Sequence, residues 1–280
     1  MFDERRAVRL WVGHAAYCSV VPECLEAEAA RVVIEAHALG RVIKKAEAPD
    51  EWFLKRGLTP ALARAALKGQ CFTAARRVGK QLLVDSDEHV LGLHLGMSGR
   101  VIVDDVAAGD PLLYASNRNA PEWYRFGVRF ADGGSLWLRD PRRLGGVELD
   151  PDETRWGPDV FTVKRAHVDA ALGRSTAPLK AILLDQSRIA GLGNLLTDEA
   201  LWRAGLDPAR PAGGLNDAER AALHTAIRAT IKVCFGRGGS HTGDLHASRT
   251  RGGRCPKDGA ELERRTVGGR TTYSCPIHQH

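Results

Sequence analysis

Near its C-terminus the chain carries two pairs of metal-competent side chains with the same internal spacing, Cys255-Pro-Lys-Asp258 and Cys275-Pro-Ile-His278, sixteen residues apart. Two ligand pairs so arranged each sit on a tight knuckle, and the knuckles close a tetrahedron, the pattern of a zinc ribbon. The donor set predicted for a structural zinc is Cys255, Asp258, Cys275 and His278. Carboxylate is an uncommon donor in structural sites, and the alternative is a ribbon that has dropped its metal and is held by packing. Between the knuckles, Thr266-Val-Gly-Gly-Arg-Thr-Thr-Tyr273 predicts a β-hairpin with Arg270 at its tip.

Charge gathers in the same region. The formal net charge is +6, and from Leu245 onward seven Lys/Arg stand against three acids, so +4 lies in the last 36 residues. That is the footprint of a phosphate-contacting element, or of a merely solvated basic tail. A length of 280 residues allows one large or two ordinary domains, and 44% apolar with 26% charged residues is the composition of a globular protein. No segment approaches the roughly 20 apolar residues of a membrane span. The first twenty residues, with Asp3, Glu4, Arg9 and His14, do not read as a secretory signal. The expected location is the cytoplasm. Six scattered cysteines argue against a disulfide framework.

Hydrophobic periodicity divides the chain. From Glu23 to about Leu39, Leu25, Ala29, Val32, Val33 and Ile34 form a helical stripe that Gly40 ends. A strand over Arg41–Ala46 follows, then a helix capped by Thr59-Pro60 and ending near Gly69. Cys71–Asp85 and Val90–Asp105 read as strand runs, and Phe126–Phe130 and Ser135–Leu138 flank an Asp132-Gly133 hairpin turn. After the hinge-like Asp150–Pro158, helices are predicted at about 166–173, 178–187, 194–204 and 216–235, the last capped by Asn216.

Two further constellations bear on chemistry. At Gly191-Leu-Gly-Asn194 a Gly-x-Gly turn opens a helix, whose free N–H groups and dipole favour phosphate, with Asn194 adding a side-chain donor. As a bare pattern it is often only a turn. In His94-Leu-Gly-Met-Ser-Gly99 and Asp140-Pro-Arg-Arg-Leu-Gly145, the apolar Met97 and Leu144 occupy loops beside Arg142 and Arg143. An exposed apolar wedge with an arginine beside it suits an enzyme that replaces a base drawn from the stack. The bland reading folds both loop residues back into the core.

Val21-Pro-Glu-Cys-Leu-Glu-Ala-Glu28 resembles the N-terminal signature of the formamidopyrimidine-DNA glycosylase/endonuclease VIII family. Arg76-Arg-Val-Gly-Lys80, the two wedge motifs, the Gly191–Asn194 turn and the terminal ribbon follow in that family's order, across about residues 21–279. The resemblance implies an α+β fold: an N-terminal β-sandwich with a leading helix, then a helical domain with a helix-two-turns-helix, then a zinc-ribbon hairpin. Boundaries expected on this basis are an extension over 1–21, a catalytic domain over 22–150, a hinge over 151–158, a helical DNA-binding domain over 159–245 and the zinc-finger-like hairpin over 246–280.

The implied activity is that of a bifunctional DNA glycosylase/AP lyase of base-excision repair, a monomer acting on damaged double-stranded DNA with no membrane and no nucleotide cofactor. The resemblance makes Pro22 the nucleophile, Glu23 the acid/base, Glu26 a second active-site acid and Lys80 a lysine that contacts phosphate and supports catalysis. Lys180, Asn194 and Arg270 match phosphate-binding positions, and Met97, Arg142 and Leu144 match void-filling ones. A secondary amine can attack the sugar anomeric carbon, expel the base and form an iminium. An α-amine titrates near ~8, so a useful fraction is unprotonated at neutral pH.

Several residues depart from the family pattern. Pro22 lies inside the chain, where its nitrogen is a tertiary amide with no lone pair to offer; the expectation is that translation begins at Val21, read as initiator methionine and removed. Leu25 stands for the usual second proline and Leu144 for a phenylalanine wedge. The loop after Gly239 is short, which points toward the endonuclease VIII-like branch and toward oxidised pyrimidines, ring-opened purines and abasic sites. The rival of a different class is a catalytically inactive zinc-ribbon paralogue that binds DNA lesions. An RNA-associated zinc ribbon explains neither Pro22-Glu23 nor the wedge loops.

Overall fold

The strand runs of the first half of the chain build two sheets, seen in a computed structural model that describes residues 22–107 and 120–280. The expected false start over residues 1–21 lies outside the described residues. The described residues divide into two compact units, one ending at Glu153 and one beginning at Thr154.

The first unit opens with helix α1 (Cys24–His37), where the Glu26 carboxylate accepts the Glu23 N–H at 2.8 Å across the first turn. A five-stranded sheet contains β1 (Ile43–Glu47), β7 (Tyr124–Phe130), β8 (Ser135–Arg139), β5 (Arg100–Val103) and β6 (Val106–Ala107), in that spatial order. A four-stranded sheet runs β2 (Phe72–Val78), β3 (Gln81–Ser86), β4 (Val90–His94), β9 (Gly146–Leu149). Their apolar faces share one core, with Phe72, Leu82, Leu91 and Leu93 from the second sheet meeting Ile43, Val101, Phe126 and Leu138 from the first. Ala27, Ala30 and Ile34 of α1 join it, and the result is a β-sandwich with a leading helix. Helix α2 (Pro60–Leu67) starts where Thr59 accepts the Leu62 N–H at 3.2 Å.

Each expected long strand run is in fact two strands: the first is a hairpin broken at Gly79-Lys80, and the second splits at the wedge loop 95–99 into β4 and β5, which belong to different sheets. Strand β9 had no clear signal in the sequence, because four residues between two loops show no period; its pairing with β4 makes it a strand.

The second unit is helical: α3 (Arg165–Leu172), α4 (Leu179–Leu184), α5 (Asn194–Ala204) and α6 (Asp217–Arg237). Helix α4 stops three residues earlier than expected, because the Asp185 carboxylate accepts the Ser187 N–H at 2.9 Å and its hydroxyl at 2.6 Å, turning the chain. Two turns then lead into α5. The Gln186 side chain stitches them, donating to Leu184 O at 2.8 Å and Leu192 O at 2.9 Å and accepting the Gly191 N–H at 2.9 Å. Asn216 caps α6 by accepting the Glu219 N–H at 2.9 Å. The chain ends in the hairpin β10 (Glu263–Val267) and β11 (Arg270–Ser274). Among the described residues no helix is long and apolar enough to cross a membrane.

Candidate functional site

In the first unit Pro22 and Glu23 sit at the mouth of α1, both buried, and Glu26 is buried one turn on. Lys80 occupies the second position of a two-residue turn between β2 and β3, where Gly79 takes φ +60°. Arg77, which the sequence reading passed over, ties the two places together. Its side chain is only 6% exposed, its Nε donates to Glu28 of α1 at 2.9 Å, and its Nη1 donates to Gly79 O at 2.9 Å. No periodicity marks such a residue; only its burial between Glu28 of α1 and the Lys80 turn reveals it. His94 pairs in register with Gln81, next to Lys80. Solvent reaches its edge, yet crowding by protein and, second, the Lys80 charge lower its pKa below the usual imidazole value.

The two wedge loops meet. Met97 is 38% and Leu144 48% exposed, so neither folds back into the core. The fully buried Asp140 joins the loops: its carboxylate accepts the Ser98 hydroxyl and the backbone N–H groups of Arg142, Leu144 and Gly145, the last two at 2.9 and 2.7 Å. The backbones touch so closely that a Cβ on Gly96 would lie 2.4 Å from the Leu144 carbonyl carbon. Arg142 is exposed between them, while Arg143, at φ +57°, is turned back to Asp50 at 2.7 Å. Asp140 combines charge with a donor-rich turn after a strand, a pattern visible in the Asp-Pro-Arg-Arg run but not its partner in the other loop.

In the second unit Asn194 is the first residue of α5, and its Nδ2 donates to Thr271 O at 3.1 Å. Thr271 follows Arg270, which is exposed and opens β11; the hairpin tip itself is Gly268-Gly269, both at positive φ as a primed turn requires. Lys180 was expected to contact phosphate. Its side chain is fully buried, with Nζ 2.6 Å from Asp198 Oδ1, 2.8 Å from Thr272 Oγ1 and 3.2 Å from Thr271 O. An ammonium taken from water needs such partners, and the nearest acid claims it. The basic tail also divides: Arg249 and Arg265 are paired with Asp198 and Asp207, whereas Arg251, Arg254, Arg264 and Arg270 are exposed.

At the foot of the hairpin the four expected donors converge, with ligand atoms of Cys255, Asp258, Cys275 and His278 all within 4.8 Å of one another. Cys255 Sγ to His278 Nδ1 is 3.6 Å, close to the roughly 3.6 Å edge of a zinc tetrahedron with thiolate and imidazole ligands. The surroundings suit thiolates: Lys257 N and Ile277 N each approach the preceding cysteine sulfur at 3.4 Å, and Trp202 Nε1 donates to Cys255 Sγ at 3.3 Å. His278 Nε2 lies 3.2 Å from Trp202 O, which leaves Nδ1 as the ligating nitrogen. The Ala260 amide, then Cys275 and His278, hold the Asp258 carboxyl well below its ordinary pKa. Burial pushes the Cys275 thiol up. The donor set therefore fits a tetrahedral zinc.

Comparison with known proteins agrees in both units. The family model for the formamidopyrimidine-DNA glycosylase N-terminal domain matches residues 21–147, and that for the formamidopyrimidine-DNA glycosylase H2TH domain matches residues 157–245. The formamidopyrimidine-DNA glycosylase of Paracoccus denitrificans is 35% identical over 92% of this chain and all of its own length. That of Arabidopsis thaliana is 30% identical over 91% of this chain and 70% of its own. The Lactococcus lactis enzyme in complex with DNA containing an abasic site is 25% identical with a TM-score of 0.78, covering 92% of this chain and 99% of that one. The same enzyme with DNA containing an oxidised pyrimidine is 26% identical with a TM-score of 0.77, covering 92% and 100%.

Proposed function

The chain belongs to the formamidopyrimidine-DNA glycosylase family, DNA glycosylases of base-excision repair that bind damaged DNA, and from that premise we propose that it is a bifunctional glycosylase/AP lyase acting through Pro22. The observation that carries the proposal is the buried Pro22-Glu23 pair at the mouth of α1. The Pro22 nitrogen, as a free secondary amine, would attack C1′ of the damaged nucleotide while the bond to the base breaks and its electrons leave with the base. The departing base takes the proton that the Pro22 nitrogen loses, the ring oxygen accepts another from Glu23 as the sugar opens, and an iminium remains. Loss of a C2′ proton then expels the 3′ phosphate, the lyase step. Lys80, held by Arg77 through Gly79, would bind backbone phosphate beside the site.

Met97, Arg142 and Leu144 would fill the space left by the extruded nucleotide, which their joint exposure supports. Asn194 and Arg270 would hold backbone phosphate, while Lys180 acts from behind them. Cys255, Asp258, Cys275 and His278 would hold one structural zinc, whose contribution when bound is to fasten the hairpin. Catalysis then belongs to residues 22–150 and DNA gripping to 159–245 with 246–280, across a hinge at 151–158. Substrates would be oxidised pyrimidines, ring-opened purines and abasic sites; the Lactococcus lactis relative, crystallised with an oxidised pyrimidine and with a FAPY-dG lesion, supports that range.

The chemistry requires that the active form begin at Pro22, since an amide nitrogen cannot attack. Two proteins test this, one beginning at Met1 and one with Met replacing Val21, each checked by intact mass and mixed with abasic DNA and borohydride. A covalent adduct only from the chain whose first residue is Pro22 is the expected result. No adduct from either, with DNA binding retained, would replace this reading with the catalytically inactive lesion-binding paralogue.

A further inference from the structure

Asp198 lies in the second turn of α5 and is fully buried. Its carboxylate collects two cations and an amide: Lys180 Nζ at 2.6 Å, Arg249 Nη2 at 2.7 Å with Nε at 3.2 Å, and Tyr273 N at 3.3 Å. The three charged side chains are 0%, 10% and 0% exposed for Lys180, Arg249 and Asp198. Ions so deeply placed hold position only because each is paired, so the carboxylate sets where all the others stand.

What they support is the phosphate-facing end of the unit. Lys180 donates onward to Thr271 O and Thr272 Oγ1, and Asn194 donates to the same Thr271 carbonyl. Thr271 is bonded to Arg270, and Tyr273 lies two residues further along the same strand. One carboxylate therefore grips the strand that carries Arg270 at Tyr273 N directly and, through Lys180, at Thr271 and Thr272. It does so from the helix whose first residue is Asn194.

We propose that Asp198 is the positioning residue for DNA phosphate binding, locking the Arg270 strand to the N-terminus of α5 so that Arg270 and Asn194 reach the DNA backbone at a fixed separation. Asp198 itself touches no DNA. The inference rests on the assignment of Arg270 and Asn194 as phosphate contacts. It assigns the buried Lys180 a role through the strand in place of direct contact.

The test uses the full chain with Asp198→Asn, Arg270→Ala and the double variant. Dissociation constants for a duplex carrying a stable abasic analogue are measured across salt concentrations, with melting temperature and zinc content recorded. Asp198→Asn is expected to weaken binding about 10-fold and to reduce the log–log salt slope by about 1, the loss of one phosphate contact. The double variant should bind no more weakly than Arg270→Ala within about twofold, since both changes remove the same contact. If Asp198→Asn lowers only the melting temperature, or if the two losses multiply, Asp198 is structural and the inference fails. Unchanged binding by Arg270→Ala overturns the phosphate assignment itself and this inference with it. Should Asp198→Asn not fold, Arg249→Met, which strips one cation from the carboxylate, is compared with Arg270→Ala in the same way and is expected to show the same non-additivity.

Discussion

The Asp140 carboxylate accepts the Gly145 amide at 2.7 Å from a position wholly shielded from water, and the same carboxylate takes the Ser98 hydroxyl of the opposite loop. A single acid thus joins the two loops that carry Met97, Arg142 and Leu144. Removing it would leave several buried donors unsatisfied, each costing about 1–3 kcal/mol.

Asp140→Ala should therefore destabilise the protein by about 4 kcal/mol in urea unfolding, since several such donors lose their partner together. Met97→Ala and Leu144→Ala, at exposed positions, should each change stability by less than about 0.5 kcal/mol. Both exposed-site variants should nevertheless lose about 10-fold in base release from duplex DNA while keeping their rate on single-stranded substrate, where nothing needs to be displaced. Equal losses on both substrates would remove the wedge role.

Asp258 is the unusual donor of the proposed zinc set. Asp258→Ala should lower zinc content below one per chain and speed zinc loss to a chelator by about 100-fold. Asp258→Cys should slow that loss relative to the parent protein. If Asp258→Ala holds zinc as tightly as the parent, the fourth ligand lies elsewhere.

His246 provides a pH dependence. Burial first, then Arg249 and His241, bring its pKa down to about 4. The unfolded chain, with an ordinary value near ~6.5, binds the proton more readily. The stability that this neutral ring contributes is thus fully present above about pH 6.5 and drains as pH falls toward 4. With allowance for the open ring edge, the loss amounts to about 2 kcal/mol between pH 7 and 4.5. Denaturant midpoints of the parent and of His246→Phe in matched buffers should converge by about that amount at the lower pH; parallel curves would count against it.

Lys180→Met should cost about 3 kcal/mol in denaturant unfolding, because it leaves the wholly buried Asp198 with Arg249 as its remaining side-chain cation. A neutral effect would mean that the pair is replaceable by apolar packing.

Local chemistry carried much of this protein on its surface. The Cys255/Asp258 and Cys275/His278 pairs, the Thr59-Pro60 and Asn216 helix starts and the Asp132-Gly133 turn depend on neighbours within a few positions, so their spacing alone determined them. The order of motifs from Pro22 to Arg270 likewise determined the family. Decisions that depend on partners far along the chain came only with tertiary structure. Strand β9 became a strand because β4 lay beside it. Lys180, in sequence an apparent phosphate ligand, was drawn into the interior by Asp198, and Arg77 became the link between α1 and the Lys80 turn. A charge written in sequence has no address until folding sets its distance from opposite charge and from water; burial then decides whether it meets the ligand or holds the residue that does.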